Sequence, residues 1–263
     1  VNPKVCVPSP LPFEVLWPCK SVEHPANIQT IHKTDSQTLY FTVVSSYTHT
    51  VEFGADPVLI GERINPTGKK RFKQALVERD INYVLNEGVN QQEKGVHILD
   101  VNVGLPEIDE VKMLETTVFE LQSVTNLPLQ IDTSDPVAME KALRIYNGKA
   151  MINSVNGKTE SMAAVFPLVK KYGGLVVALT LDESGIPETA EGRLEIARRI
   201  LATAESYGIS KNDIIFDPLA LTVSADDNAA IQTLRAIELI NNELGCLTSL
   251  GVSNVSFGLP SRE

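Results

Sequence analysis

An α/β barrel of the (β/α)8 kind is the architecture this sequence predicts, and three observations predict it. From Val58 onward, short β-rich runs alternate with longer amphipathic stretches; seven such runs occur; and nearly every run ends on a polar residue. The repeated unit points to parallel strands with helical crossovers, which leaves a barrel or a doubly wound sheet. The polar strand ends separate the two. A doubly wound sheet binds at one topological switch point, whereas a barrel gathers loops from all its strands around one mouth.

The expected strands are Val58 to Gly61, His97 to Val101, Leu127 to Ile131, Ala150 to Ile152, Leu175 to Thr180, Ile214 to Phe216 and Leu247 to Val252. Helical spacing lies between them. Val111, Leu114, Val118 and Leu121 recur at three- and four-residue steps, as do Leu194, Ala197, Leu201 and Ala204. Asp135 and Pro136 form an N-cap and first-turn pair for a helix reaching Tyr146. Lys170, Lys171 and Gly173 close another helix, with cations at the negative end of its dipole and glycine just past it.

Residues 1–50 differ from the rest, with five prolines among the first eighteen positions and only loose alternation from Ser36 to Tyr47. They are expected to form a peripheral segment, a linker or the tail of an upstream domain, with one or two short strands around Leu39 to Val44. Residues 51–263 are then the barrel domain. Only about 200 residues run from Val58 to Glu263, against about 250 for a complete barrel. The expected barrel is therefore truncated after its seventh strand, in a fragment of a longer chain that begins with Val1. Its outer strands are left with open edges unless residues 36–47 cover one of them.

The chain has 263 residues, 43% of them hydrophobic, enough for one substantial core. A formal net charge of -10 opposes binding to nucleic acid or to an anionic membrane surface. No run approaches the length of a membrane-spanning helix, and prolines stand where a signal peptide has its apolar stretch. Three cysteines, Cys6, Cys19 and Cys246, lie far apart, and the four histidines show no i, i+4 pairing. That pattern suits a reducing compartment, the cytoplasm, and predicts no metal site.

The chemistry-bearing residues follow the strands. Asp100 and Asn102 fall on one side of the second strand by alternation; Asp132, Asn153 and Asp217 end the third, fourth and sixth; Asn254 follows the seventh. Each alone can be a helix cap or a loop brace. Together they form a cup of carboxylates and carboxamides, with no metal-ligand cluster and no evident nucleophile. The loop from Gly61 to Gly68 fits neither a P-loop nor a dinucleotide fingerprint. It is either a turn pinned by Asn65 and Pro66, with Glu62 in an ion pair, or part of the mouth. Carboxylates accept paired N–H donors and carboxamides both donate and accept, which suits a flat heterocycle with an amidine-like edge.

Six segments carry a resemblance: Gly-Glu-Arg-Ile-Asn-Pro-Thr-Gly, Leu-Asp-Val-Asn-Val-Gly, Gln-Ile-Asp-Thr-Ser, Met-Ile-Asn-Ser-Val-Asn-Gly, Ile-Phe-Asp-Pro-Leu and Gly-Val-Ser-Asn-Val-Ser-Phe-Gly-Leu-Pro. From about Val43 to Glu263 the chain resembles the pterin-binding barrel of cobalamin-dependent methionine synthases. It is similar, less closely, to methyltetrahydrofolate to corrinoid/iron-sulfur protein methyltransferases. The resemblance implies a (β/α)8 TIM barrel of the dihydropteroate synthase-like type. It implies transfer of the N5 methyl of 5-methyltetrahydrofolate to cob(I)alamin held by another domain or protein, with the methyl going on to homocysteine in a further domain.

By matching motif, Asp132, Asn153 and Asp217 would hold the pterin edges, with Asp217 on the 2-amino and N3 side. Asn254 would hydrogen-bond N5, Gly251 and Ser253 would lie against the ring, and Asp100, Asn102 and Glu62 would belong to the surrounding polar network. The zinc site of such synthases lies in an upstream barrel around a vicinal cysteine pair and is not carried over. Dihydropteroate synthase would require a basic residue near the seventh strand, where Ser253 and Asn254 stand. A folate-binding but inactive module is the remaining reading.

Overall fold

The computed structural model describes residues 31–34, 37–222 and 228–256. Strands β1 (Ile31–Thr34) and β2 (Gln37–Tyr40) pair antiparallel with each other, as do β3 (Val43–Ser45) and β4 (Thr50–Glu52). The repeating part follows as β5 (Ile60–Ile64), α1 (Lys70–Glu78), α2 (Ile81–Glu93), β6 (Ile98–Val101), α3 (Glu110–Val124), β7 (Leu129–Asp132) and α4 (Pro136–Ile145). It continues with β8 (Met151–Asn156), α5 (Thr159–Tyr172), β9 (Leu175–Leu179), α6 (Ala190–Ser206), β10 (Ile214–Asp217), α7 (Ala229–Leu239) and β11 (Leu247–Thr248).

Strands β5 to β11 form one sheet in strict sequence order, and every neighbouring pair is parallel. That order has no reversal, so the doubly wound alternative is excluded and the sheet is a run of seven barrel strands. Alternation along the strands sorts two cores. Leu99, Val101, Leu129, Ile131, Ile152, Val176, Ala178 and Phe216 pack outward with the helices, while Ile98, Met151, Leu175, Val177 and Ile215 fill the concave side. The concave column therefore runs from apolar to polar: Ile98 to Asp100, Met151 to Asn153, Ile215 to Asp217.

The β3–β4 hairpin closes the floor of this column. Val44 and Val51 pack among the concave-side residues. Ser45 N donates to Lys149 O at 2.9 Å, Lys149 N to Ser45 Oγ at 3.1 Å, and Ser46 Oγ to Asn126 O at 2.6 Å. The buried Tyr146 hydroxyl bridges Leu129 N and Ser45 O. All these partners lie at the N-terminal ends of strands, so residues 43–47 seal the end opposite the mouth rather than cover a sheet edge. The hairpin runs across residue 50.

The expected helix boundaries hold closely. Asp135 Oδ1 accepts from Val137 N at 2.8 Å and from Ala138 N at 3.4 Å, so Asp135 caps α4. Gly173 ends α5 at φ 68°. Three strands depart from expectation. The fourth runs over Met151–Asn156, not Ala150 to Ile152, because β9 pairs it as far as Asn156, so Asn153 lies within the strand. The first spans Ile60–Ile64, not Val58 to Gly61, so Glu62 and Arg63 lie in a strand instead of a loop. Gly61 permits this because a Cβ there would stand 2.5 Å from Gln91 Oε1, the atom that accepts from Arg63 N at 2.9 Å. The seventh strand covers only Leu247–Thr248, because it pairs on one side alone and Ser249 and Gly251 follow. No described helix is long and apolar enough to cross a membrane.

Candidate functional site

The polar ends of β6, β7 and β8 carry two neighbouring hydrogen-bonded sets, one around Asp100 and one around Asp132. Asp100, nearly fully buried, accepts from Gln130 Nε2 at 2.5 Å and from the Asn153 side chain. Asn102 Nδ2 donates to Asp132 Oδ2 at 2.9 Å, and Asn102 Oδ1 accepts from Gly104 N at 2.9 Å, which fixes the amide orientation. Burial, with the negative charge of Asp132 beside it, holds the Asp100 carboxyl well above the usual range against the pull of Gln130 and Asn153. Burial likewise raises Asp132 to about 6, opposed by the Asn102 hydrogen bond and reinforced by the charges of Glu62 and Glu110.

Asp217 closes the far side of the arc. Its Oδ1 accepts from Leu219 N at 2.8 Å, and burial raises its pKa to about 6 against that bond and the Arg193 cation. No ion pair neutralises Asp100, Asp132 or Asp217 among the described residues. Enclosed carboxylates without cationic partners are costly, and a ligand that presents paired N–H donors relieves that cost. The protein's own donors and acceptors thus fit the amidine-like edge of a pterin.

Residues 61–262 match the family model described as pterin binding enzyme. The chain belongs to this family. Among curated relatives it is 32% identical over 247 residues to a methionine synthase of Mycobacterium tuberculosis, covering 89% of this chain but 21% of that protein. It is 30% identical over 213 residues to a methylcorrinoid:tetrahydrofolate methyltransferase of Eubacterium limosum, covering 78% of this chain and 77% of the relative. The chain thus spans about a fifth of the methionine synthases it matches.

Among solved structures, dihydropteroate synthase of Xanthomonas albilineans with 4-aminobenzoic acid superposes at a TM-score of 0.63 with 20% identity, covering 81% of this chain and 77% of that one. The Vibrio fischeri enzyme superposes at 0.57 with 17% identity, covering 79% and 77%. These likenesses show the dihydropteroate synthase-like barrel fold.

Within this family member, Glu62 stands at the rim: its Oε1 accepts from Asn65 Nδ2 at 3.2 Å, while Arg63 reaches Glu87 at 4.0 Å instead. Gly251 and Asn254 are not joined to the carboxylates by any hydrogen bond among the described residues. Val252–Ser256 is a 3-10 turn, not a strand end, and Ser253 and Asn254 are exposed on it. Asn254 N donates to Gly251 O at 3.0 Å, and a Cβ on Gly251 would lie 3.0 Å from Asn254 Nδ2, so the absence of a side chain makes room for the amide. Phe257 to Pro260, the end of the last quoted motif, lies outside the described residues.

Three further residues belong to the site. Gln130 shares the concave face with Asp132, and its Oε1 is buried without a partner among the described residues. Alternation from Asp132 back to Gln130 was the signal for it. Thr133 Oγ1 donates to Glu110 Oε1 across the mouth, and both line an open hollow of about 470 Å³ with Asn102, Gly104, Thr67 and Ser134. Thr133 stood in the quoted Gln-Ile-Asp-Thr-Ser segment without a role of its own, and Glu110 had no signal because it also reads as first-turn helix charge. Among the described residues, no group of three or more His, Cys, Asp or Glu is arranged to hold a metal ion.

Proposed function

We propose that this domain binds 5-methyltetrahydrofolate in the cup and passes its N5 methyl to cob(I)alamin held by another domain or protein, as a step in methionine synthesis from homocysteine. The observation that carries the reading is the set of enclosed carboxylates, none of them in an ion pair among the described residues, at the strand ends of a pterin-binding family barrel. Asp132, Asn153 and Asp217 hold the pterin edges, Asp217 on the 2-amino and N3 side. Asp100, Asn102 and Glu62 keep that set oriented, and Gly251 and Ser253 lie against the ring.

The chemistry is set by a poor leaving group. When the N5–CH3 bond breaks, its electron pair stays on N5, which needs a proton or a strong hydrogen bond there. The cobalt supplies the electron pair that takes up the methyl. Asn254, on a short turn with Gly251 leaving space beside it, reaches N5 as the ring docks and donates to it as charge develops. An amide does this without becoming a fixed charge next to a cationic N5, so Asn254 is a stabiliser and water relays the proton. The reading takes residues 51–263 as the pterin-binding unit and the cytoplasm as its compartment, with cobalamin-binding and homocysteine-binding domains as partners.

The similarity to a methylcorrinoid:tetrahydrofolate methyltransferase favours a second reading, exchange with the corrinoid of a separate protein. Mixing the chain with 5-methyltetrahydrofolate and free cob(I)alamin, and following methylcobalamin formation, tests the proposal. Saturable binding with methyl transfer supports it. Binding without transfer to free cobalamin moves the assignment to a dedicated corrinoid protein or an inactive folate binder, and no binding rejects it.

A further inference from the structure

Arg193 lies on α6, on the side of the fold remote from the Asp100–Asp132 network, and is fully buried. Its Nε donates to Pro187 O at 3.0 Å, and its Nη1 to Pro218 O at 3.0 Å, Leu219 O at 3.1 Å and Thr233 Oγ1 at 2.9 Å. One guanidinium therefore ties the loop before α6, the turn after β10 and helix α7 together. The turn it holds is the one that starts at Asp217.

That turn is conformationally demanding. Leu219 adopts φ 65°, a left-handed backbone that a branched L-residue takes only when its surroundings enforce it. Its N–H in this conformation donates to Asp217 Oδ1. Nη1 holds the Pro218 and Leu219 carbonyls while Nε, fixed in the same plane, holds Pro187 O, a two-point attachment that the single ammonium of a lysine does not reproduce.

The guanidinium also carries an unspent charge. Its Nη2 is buried with no hydrogen-bond partner among the described residues, and no carboxylate pairs with it there. Its field acts on Asp217. The flanking strands Leu175–Leu179 and Leu247–Thr248 contain no ionisable side chain, and on α7 Arg235 pairs with Glu191 at the surface.

We propose that Arg193 is a positioning residue for the pterin site, holding the Asp217–Leu219 turn so that the Asp217 carboxylate faces the ligand. This rests on Asp217 being a pterin ligand. Arg193 itself does not touch the ligand, and its influence has two separable parts, the shape of the turn and the charge behind it.

The test is 5-methyltetrahydrofolate affinity from pH 5 to 9 for the native chain, Arg193→Lys, Arg193→Met and the control Thr233→Val. Arg193→Lys keeps the charge but not the fork, so affinity at pH 7.5 falls about tenfold with the pH midpoint unchanged. Arg193→Met loses both, and the midpoint below which affinity drops moves up by about one pH unit. Thr233→Val lowers thermal stability and leaves the midpoint in place. Unchanged affinity in the lysine variant, or an unchanged midpoint in a folded methionine variant, overturns the proposal; if the methionine variant does not fold, the lysine variant decides. Absence of saturable binding by the native chain instead rejects the pterin reading and this inference with it.

Discussion

Asn102 Nδ2 donates to Asp132 Oδ2 at 2.9 Å, so the carboxamide following β6 fixes the carboxylate that ends β7. The bond joins two strand ends that are 30 positions apart in sequence, and it orients the carboxylate toward the mouth. It also opposes the burial that lifts Asp132 to about 6.

Replacing Asn102 by Asp removes that donor and adds a like charge beside Asp132. The Asp132 carboxyl is then expected to titrate about one pH unit higher. At pH 7 a growing fraction is protonated and no longer accepts N–H donors. Folate affinity of Asn102→Asp should fall at pH 7 and recover by pH 9, which a titration at the two pH values checks.

Asp132 costs stability where it serves binding. Its folded value of about 6 lies above the ordinary carboxylate value. Between those values the native state holds more protons than the unfolded state, so this group's contribution to stability declines as pH rises through the window. Asp132→Asn, which never ionises, should be more stable than the native chain by about 2 kcal/mol at pH 7.5. The advantage should vanish below pH 4, as measured by urea unfolding at the two pH values, while folate binding is lost throughout.

Asn254→Ala separates binding from chemistry. A donor used mainly as charge develops on N5 should lower single-turnover methyl transfer by about 10²–10³. Affinity for 5-methyltetrahydrofolate should change by less than about fivefold. Equal losses in both would remove the N5 assignment.

The floor of the barrel is equally specific. A Cβ on Gly148 would stand 2.1 Å from Ser45 O, a backbone atom of the hairpin that cannot turn aside. Gly148→Ala should therefore displace β3–β4 and cost about 2–3 kcal/mol. Thermal unfolding together with protease sensitivity near Ser45 would read it; a native-like melt would show that the hairpin is not a structural part of the barrel.

Much of this was legible in the chain. Period-two alternation put Asp100 and Asn102 on one side of the second strand, and Asp132, Asn153 and Asp217 were legible as polar residues ending apolar runs. The caps at Asp135 and Gly173 were local signals and were found where expected. Contacts set by tertiary packing were not legible. Nothing local shows that Val44 and Val51 plug the concave side, that Gln91 needs the space at Gly61, or that Arg193 reaches the turn after Asp217 from a neighbouring helix. The extension of the seventh strand to Val252 failed for a related reason. Apolar residues alone do not make a strand where only one neighbour offers hydrogen bonds, and Leu247–Thr248 is all of the seventh strand that pairs with β10.

The most direct measurement is an equilibrium titration of 5-methyltetrahydrofolate into the native chain and into Asp217→Asn at pH 7.5. A pterin held by enclosed carboxylates predicts one saturable site in the native chain, weakened at least about tenfold when the Asp217 charge is removed. No saturable site, or the same affinity in both proteins, would contradict it.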